Sequence, residues 1–246
     1  MIGEKTVADV NTFKMIRTTI TLYFLLSTLF SYSQSSFGLQ IDMGKSILRR
    51  ISDDVIVPYG FSGADHSVKS VFYLSPSIKF RKQISSRFTF ETGLGYIPLE
   101  HQIQLKYYYT IFQTYVDTAL KINLKYLFLP VSINYATPIS PNAAVVFSAV
   151  LNTSILISHK DNFEDLLYEE IYWIKRDWYS GIIFAPSLSI GYQIKLRDID
   201  IAELGFYISI DVNSGFKQKD AWGFYNNLST SRNLRSGLQF KYFINH

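Results

Sequence analysis

The chain has 246 residues, 48% hydrophobic and 18% charged, with a net charge of +4. That charge is small and scattered, basic runs such as Arg49-Arg50 are no longer than two residues, and no nucleic-acid partner is expected. Cysteine is absent, which excludes disulfides, thiolate metal sites and a lipid-anchored amino-terminal cysteine.

Residues 1–34 read as a signal peptide with a polar amino-terminal extension, and 35–246 as one barrel domain. Arg17 precedes the apolar run Ile20–Phe30, and the small residues Ser31 and Ser33 lead to Gln34. A basic start, a short apolar core and a small-residue exit make a secretory address. The alternative is a retained membrane anchor, though the run is short of the ~20 residues a spanning helix needs.

Beyond Gln34 the period is two, because side chains on a strand alternate faces. The first strand, Phe37–Gly44, sets Phe37, Leu39, Ile41 and Met43 against Gly38, Gln40, Asp42 and Gly44. The second, Val71–Arg81, and the third, Phe88–Ile97, repeat that alternation, and the fourth runs from about Lys121 to Tyr135. The fifth (Val145–Ile157), sixth (Gly181–Gln193), seventh (Ile201–Asp211) and eighth (Leu234–Phe243) carry Gly and Ser on the polar face. Each is near the ~9–11 residues of a tilted membrane strand. The fold class is therefore all-β: an eight-stranded antiparallel up-and-down transmembrane β-barrel.

Connections alternate long and short, as a barrel with long loops at one mouth and tight turns at the other requires. Short turns are expected at Lys82–Arg87, Ala136–Asn142 and Lys195–Asp200. With both termini periplasmic, these turns are periplasmic and the long connections external. Phe37, Phe80, Phe88, Tyr135, Tyr192 and Tyr242 fall at the turn end, as an interfacial girdle would. Pro76, Pro130 and Pro186 lie inside strands, where proline cannot donate to the ladder, so each is expected to mark a bulge. The fourth strand is expected to slip phase across Leu127–Val131.

The inward set contains the acids Asp42, Glu91, Glu203 and Asp211 and the bases Lys79, Arg81, Lys125, Arg235 and Lys241. Acids fall on odd strands and bases on even ones, so every base has an acid next door. Hairpin register predicts Lys79 opposite Glu91, Arg235 roughly opposite Asp211, and Lys241 diagonal to Glu203. Buried charges must be paired, and eight strands leave an interior that side chains just fill. The set reads as a structural plug, with a narrow ion path or proton-linked gate as the functional alternative.

No phosphate-binding loop, nucleophile elbow or zinc-protease motif occurs, and His66, His101, His159 and His246 lack ligand spacing, so no metal or cofactor is expected. His101 beside Glu100, with Ser70 as nucleophile, would be the site of a lipid-modifying enzyme at the outer rim. The external segment Gln102–Tyr115 holds Tyr107, Tyr108, Tyr109 and Phe112, and extends the third strand beyond the bilayer. The segment Asp161–Trp178 holds Trp173 and Trp178 among helix-spaced apolar residues. Exposed aromatics of this kind mark an interaction site, or else a cap packed on itself over the mouth.

The segment Lys125-Tyr126-Leu127-Phe128-Leu129-Pro130-Val131-Ser132-Ile133-Asn134-Tyr135 resembles the "YLxIPLxxxY" strand of the PorT-like outer-membrane β-barrel family of Gram-negative bacteria. Gly93-Leu94-Gly95-Tyr96 and the final Gly237–Phe243 are similar to other strands of that family. The resemblance implies an eight-stranded barrel and carries no catalytic residues, and one branch of the family serves secretion and gliding machinery. The expected role is therefore non-enzymatic: a filled outer-membrane barrel, structural or interactive through its external loops, as an accessory of a secretion complex. Its expected partners are outer-membrane lipid, the barrel-assembly machinery and a protein at the loops. The alternatives are a passive channel for very small solutes, the rim enzyme, and a soluble lipocalin-like barrel with an apolar lumen and a polar exterior.

Overall fold

A computed structural model describes residues 35–49, 61–109, 114–161, 179–196, 200–213 and 232–245. The expected signal segment, 1–34, lies outside them. Nine strand segments are present: β1 (Ser35–Arg49), β2 (Phe61–Lys69), β3 (Val71–Gln83), β4 (Phe88–Tyr109), β5 (Thr114–Ser140), β6 (Ala143–Asp161), β7 (Ile182–Leu196), β8 (Asp200–Ile210) and β9 (Arg232–Asn245). β2 and β3 are one strand interrupted at Ser70, and β2 pairs with the outer part of β4. Every pairing is antiparallel. β9 returns to β1 and β4 pairs with β5, so eight staves close into a barrel with no free edge around the wall.

Sequence-local alternation explains the two faces. Phe72, Leu74, Ile78, Leu188, Leu204 and Phe206 point outward, and Phe72 is 67% exposed although it is a large apolar residue. Ser75, Ser77, Lys79, Arg81, Glu91, Glu203 and Lys241 point inward and are buried. This is the polarity of a barrel whose outer solvent is hydrocarbon. It is opposite to the lipocalin-like arrangement. The turn-end aromatics form the expected girdle: the Phe37 and Phe80 rings lie 5.3 Å apart, and those of Phe88 and Tyr135 lie 5.1 Å apart. The Tyr242 hydroxyl donates to Asp200 at 2.6 Å.

The strands run longer than alternation alone indicates. The expected turn 136–142 shrinks to Pro141–Asn142, because β5 continues through Ser140 and β6 starts at Ala143. At the opposite mouth β4 and β5 stay paired from Glu100–Asn123 out to Tyr109–Thr114, so most of the expected loop Gln102–Tyr115 is ladder.

Two expectations about the prolines are corrected. No register shift occurs at Pro130 or Pro186, each of which leaves a gap in the ladder on one side, whereas across the gap that begins at Pro76 the pairing with β4 moves by one residue between Ser77–Gly95 and Lys69–Gln102, so residues 70–76 carry the one extra residue of a bulge. The β3–β4 ladder stops at Ser77–Gly95, and the β7–β8 ladder stops at Ser187–Ser209. The β4–β5 ladder skips the two pairs opposite Pro130 and resumes in the same register. Inward serine hydroxyls cover backbone carbonyls beside the gaps: Ser75 Oγ donates to Tyr96 O (2.8 Å), Ser132 Oγ to Glu91 O (3.4 Å) and Ser209 Oγ to Pro186 O (3.2 Å). Beside Pro76 the hydroxyl covers a carbonyl of the facing strand, and beside Pro186 it covers the proline's own carbonyl. β5 also keeps one phase: Ile122, Leu124, Tyr126, Phe128, Ser132 and Asn134 are all buried. The irregularity falls on its neighbour, where the shift between Lys125/Tyr126 leaves Ile157 of β6 without a partner. Lys125 consequently points outward and is exposed, and does not belong to the lumen set.

Candidate functional site

The lumen is filled in layers, described here from the turn end. Phe243, with no exposed surface, forms the floor and packs against its ladder partner Gly38. The Arg81 guanidinium lies 3.8 Å above the Phe243 ring. Four charges then close a cycle. Arg81 contacts Glu91 at 2.6 Å and reaches across the lumen to Glu203 at 3.0 Å. Lys241 contacts Glu203 at 3.0 Å and Glu91 at 3.3 Å. Each base therefore touches both acids and each acid touches both bases, and Gln193 accepts a further bond from Arg81 at 3.3 Å.

The register differs from the expected one. The turn spans only Ile84–Arg87, so β3 runs two residues further and Arg81, not Lys79, faces Glu91; Lys79 faces Gly93. Glu203 and Lys241 are direct ladder partners rather than diagonal ones. Arg235 pairs with Ser209 in the ladder, yet its side chain meets Asp211 at 2.6 Å, close to the expectation. With Lys125 outside, the lumen holds, among the described residues, Asp42, Glu91, Glu203 and Asp211 against Lys79, Arg81, Arg235 and Lys241, four of each sign.

Above the cycle lies a cavity of about 40 Å³ lined by Gln40, Asp42, Ser75, Lys79 and Gln239 among others. Gln40 Nε2 donates to Asp42 at 2.6 Å, while Gln40 Oε1 and Gln239 Nε2 have no protein partner. A polar space of this size is large enough for a water molecule. The next layer rests on two glycines. Tyr73, Gly44, Gly237 and Tyr207 form one row across β3, β1, β9 and β8. A Cβ on either glycine would collide with the facing backbone. The absence of side chains there lets Tyr73 and Tyr207 meet, hydroxyl to hydroxyl, across them. Asp211 also accepts from Asn233 Nδ2 at 2.6 Å.

The loop end of the lumen is apolar. Leu48, Ile97, Leu99, Ile122, Leu124, Tyr126, Phe128 and Ile183 form a buried cluster with Tyr179. Sequence reading expected a lumen face rich in Gly and Ser and did not place this plug. The signal was available, since continuing the inward phase of Gly93 and Gly95 leads to Ile97, Leu99 and His101. His101 is 1% exposed, its Nε2 has no protein partner, and it faces this plug rather than the rim, whereas Ser70 is exposed between β2 and β3. The backbones of Tyr107, Tyr108 and Tyr109 pair with Val116, Tyr115 and Thr114. Phe112, Trp173 and Trp178 lie outside the described residues.

No protein-family model matches the chain, and neither does any curated protein. Among solved structures, it is similar to Neisserial surface protein A at 13% identity over 85% of this chain and 97% of that one, with a TM-score of 0.45. It is similar to the attachment invasion locus protein Ail of Yersinia pestis at 7% identity, covering 87% and 99%, with a TM-score of 0.38. Against the translocator domain of the autotransporter NalP from Neisseria meningitidis, identity is 8%, coverage 98% and 99%, and the TM-score 0.34. Likeness at this level carries no functional argument, and the closed eight-stranded barrel stands on this chain's own register.

Proposed function

We propose that the protein is an integral outer-membrane barrel of the PorT-like type, closed to solutes, that presents its long-connection end to a protein partner as an accessory of a secretion complex. The starts of β1 and the end of β9 lie at the turn end, which this reading sets on the periplasmic side. The carrying observation is the doubly filled lumen. A charge cycle spans it near one mouth and an apolar cluster near the other. Water-filled conduction needs a continuous polar path, and the apolar layer supplies none. The role assigned is non-catalytic, because His101, the base a rim enzyme would use, is buried against the plug. The membrane location is supported by the exterior, where Leu39, Ile78, Leu188 and Leu204 are each 58–63% exposed.

Planar-bilayer recording tests the closed lumen. The purified barrel should give no stable conductance steps at either polarity. Voltage-stable steps would favour the passive-channel reading, and loss of a lipid A mass shift on deleting the gene would favour the rim enzyme.

A further inference from the structure

On the outer wall of β5 the apolar band ends abruptly. Outward from the Tyr135 girdle come Ile133, Val131, Leu129 and Leu127, and then the exposed Lys125 and Lys121. The ten residues from Tyr135 to Lys125, at ~3.3 Å each and tilted by ~40°, rise ~25 Å, the height of the apolar band of a membrane barrel. Lys125 therefore stands at the opposite boundary of the bilayer, at the loop end. Three ladder rows meet there on the outer face. Lys69, Gln102 and Lys121 lie side by side on β2, β4 and β5. Glu100, Asn123 and Lys160 form the next row, and Pro98, Lys125 and Ser158 the one below it. Lys160 is thus a diagonal neighbour of Lys125, ~7–8 Å away.

Two bulges bring Lys69 and Lys160 to this face. Within the band the odd residues of β6 face outward, as Phe147, Leu151 and Ile155 do. The unpaired Ile157 reverses that phase, so Lys160 faces out beside Asn123. The even residues Phe72 and Leu74 face outward on β3. The one-residue shift between Ser77–Gly95 and Lys69–Gln102 reverses the phase again and turns Lys69 out beside Gln102. Without either shift its lysine would fall on the inward phase.

We infer that this lysine patch binds the phosphates of one lipid A molecule in the leaflet at the loop end, an inference that rests on the membrane reading above. Lysine at a bilayer boundary lays its stem on apolar surface and lifts its ammonium to headgroup level. The patch rises directly from Leu127, Ile155 and Phe72, so a ligand with hydrocarbon below and anionic groups above meets both surfaces. Lys69 with Lys121, and Lys125 with Lys160, make two basic pairs, as a lipid with two phosphates requires. Glu100 is the carboxylate within these rows, and it opposes binding.

The test uses the full chain in phosphatidylethanolamine vesicles doped with bis-phosphorylated lipid A, floated, extracted in mild detergent and weighed by native mass spectrometry. The unaltered protein should retain one lipid A per chain and should not retain the dephosphorylated form. Lys125→Gln/Lys160→Gln should lower the occupancy about tenfold, since each lysine contributes separately to holding an anionic headgroup. Glu100→Gln should raise it. Lys45→Gln/Arg49→Gln, which removes exposed bases of β1 away from the patch, should leave it unchanged. Equal retention of the dephosphorylated lipid, no loss in Lys125→Gln/Lys160→Gln, a fall in Glu100→Gln, or the same loss in the β1 variant would overturn the inference while the membrane reading stood. Failure of the unaltered protein to float would overturn both.

Discussion

Arg81→Met should destabilise the barrel by about 3–5 kcal/mol, the cost of removing one partner from a buried ion pair. Arg81 is 4% exposed, touches both Glu91 and Glu203, and is the link between them on its side of the lumen. Its loss leaves Lys241 as the base in contact with both buried carboxylates. Methionine keeps most of the aliphatic stem over Phe243, so the loss reports charge more than packing. Removing an acid together with the base restores neutrality. The double variant Arg81→Met/Glu203→Gln should therefore be less destabilised than the sum of its parts, with a coupling of about 0.5–3 kcal/mol. Urea unfolding in lipid vesicles measures all three variants. Additive effects, each below about 1 kcal/mol, would mean that the cycle is not a working unit.

Leu188 and Ser189 give the sharpest contrast between the two faces. They are adjacent near the middle of β7, but Leu188 is 63% exposed on the outside and Ser189 is buried in the lumen with its hydroxyl unpartnered. Leu188→Lys should cost ~2–4 kcal/mol, as a lysine does near the bilayer midplane. Ser189→Ala should be neutral or slightly stabilising, because it removes a buried polar atom that has no bond. In a soluble barrel the lysine would be tolerated. Equal, small effects at both positions in the vesicle unfolding assay would therefore count against the membrane-facing assignment.

The faces of the strands were legible because alternation is a local property: Gly38, Gln40 and Asp42 declare one side of β1 whatever they pair with. Register was not, because it depends on where a turn closes. Extending β3 to Gln83 moves Arg81 into the place expected for Lys79. The prolines misled for a related reason. At Pro130 and Pro186 a missing donor was read as an extra residue, whereas the register runs on unchanged and the Ser209 hydroxyl covers the Pro186 carbonyl. In β5 that assumed slip turned Lys125 inward; the unbroken phase turns it out and leaves four lumen charges of each sign among the described residues. The apolar plug escaped notice because the third strand was expected to end at Ile97, so its inward phase was not followed further. The outer half of the lumen instead continues the same inward phase with Ile97, Leu99, Ile122 and Leu124.

The most direct test of the central claim combines cell fractionation with gel mobility before and after boiling. A closed membrane barrel should sit in the outer-membrane fraction and migrate differently when unboiled, since its wall has no edge at which to unravel. A soluble protein with identical mobility in both lanes would contradict the account and reverse the assignment of its two faces.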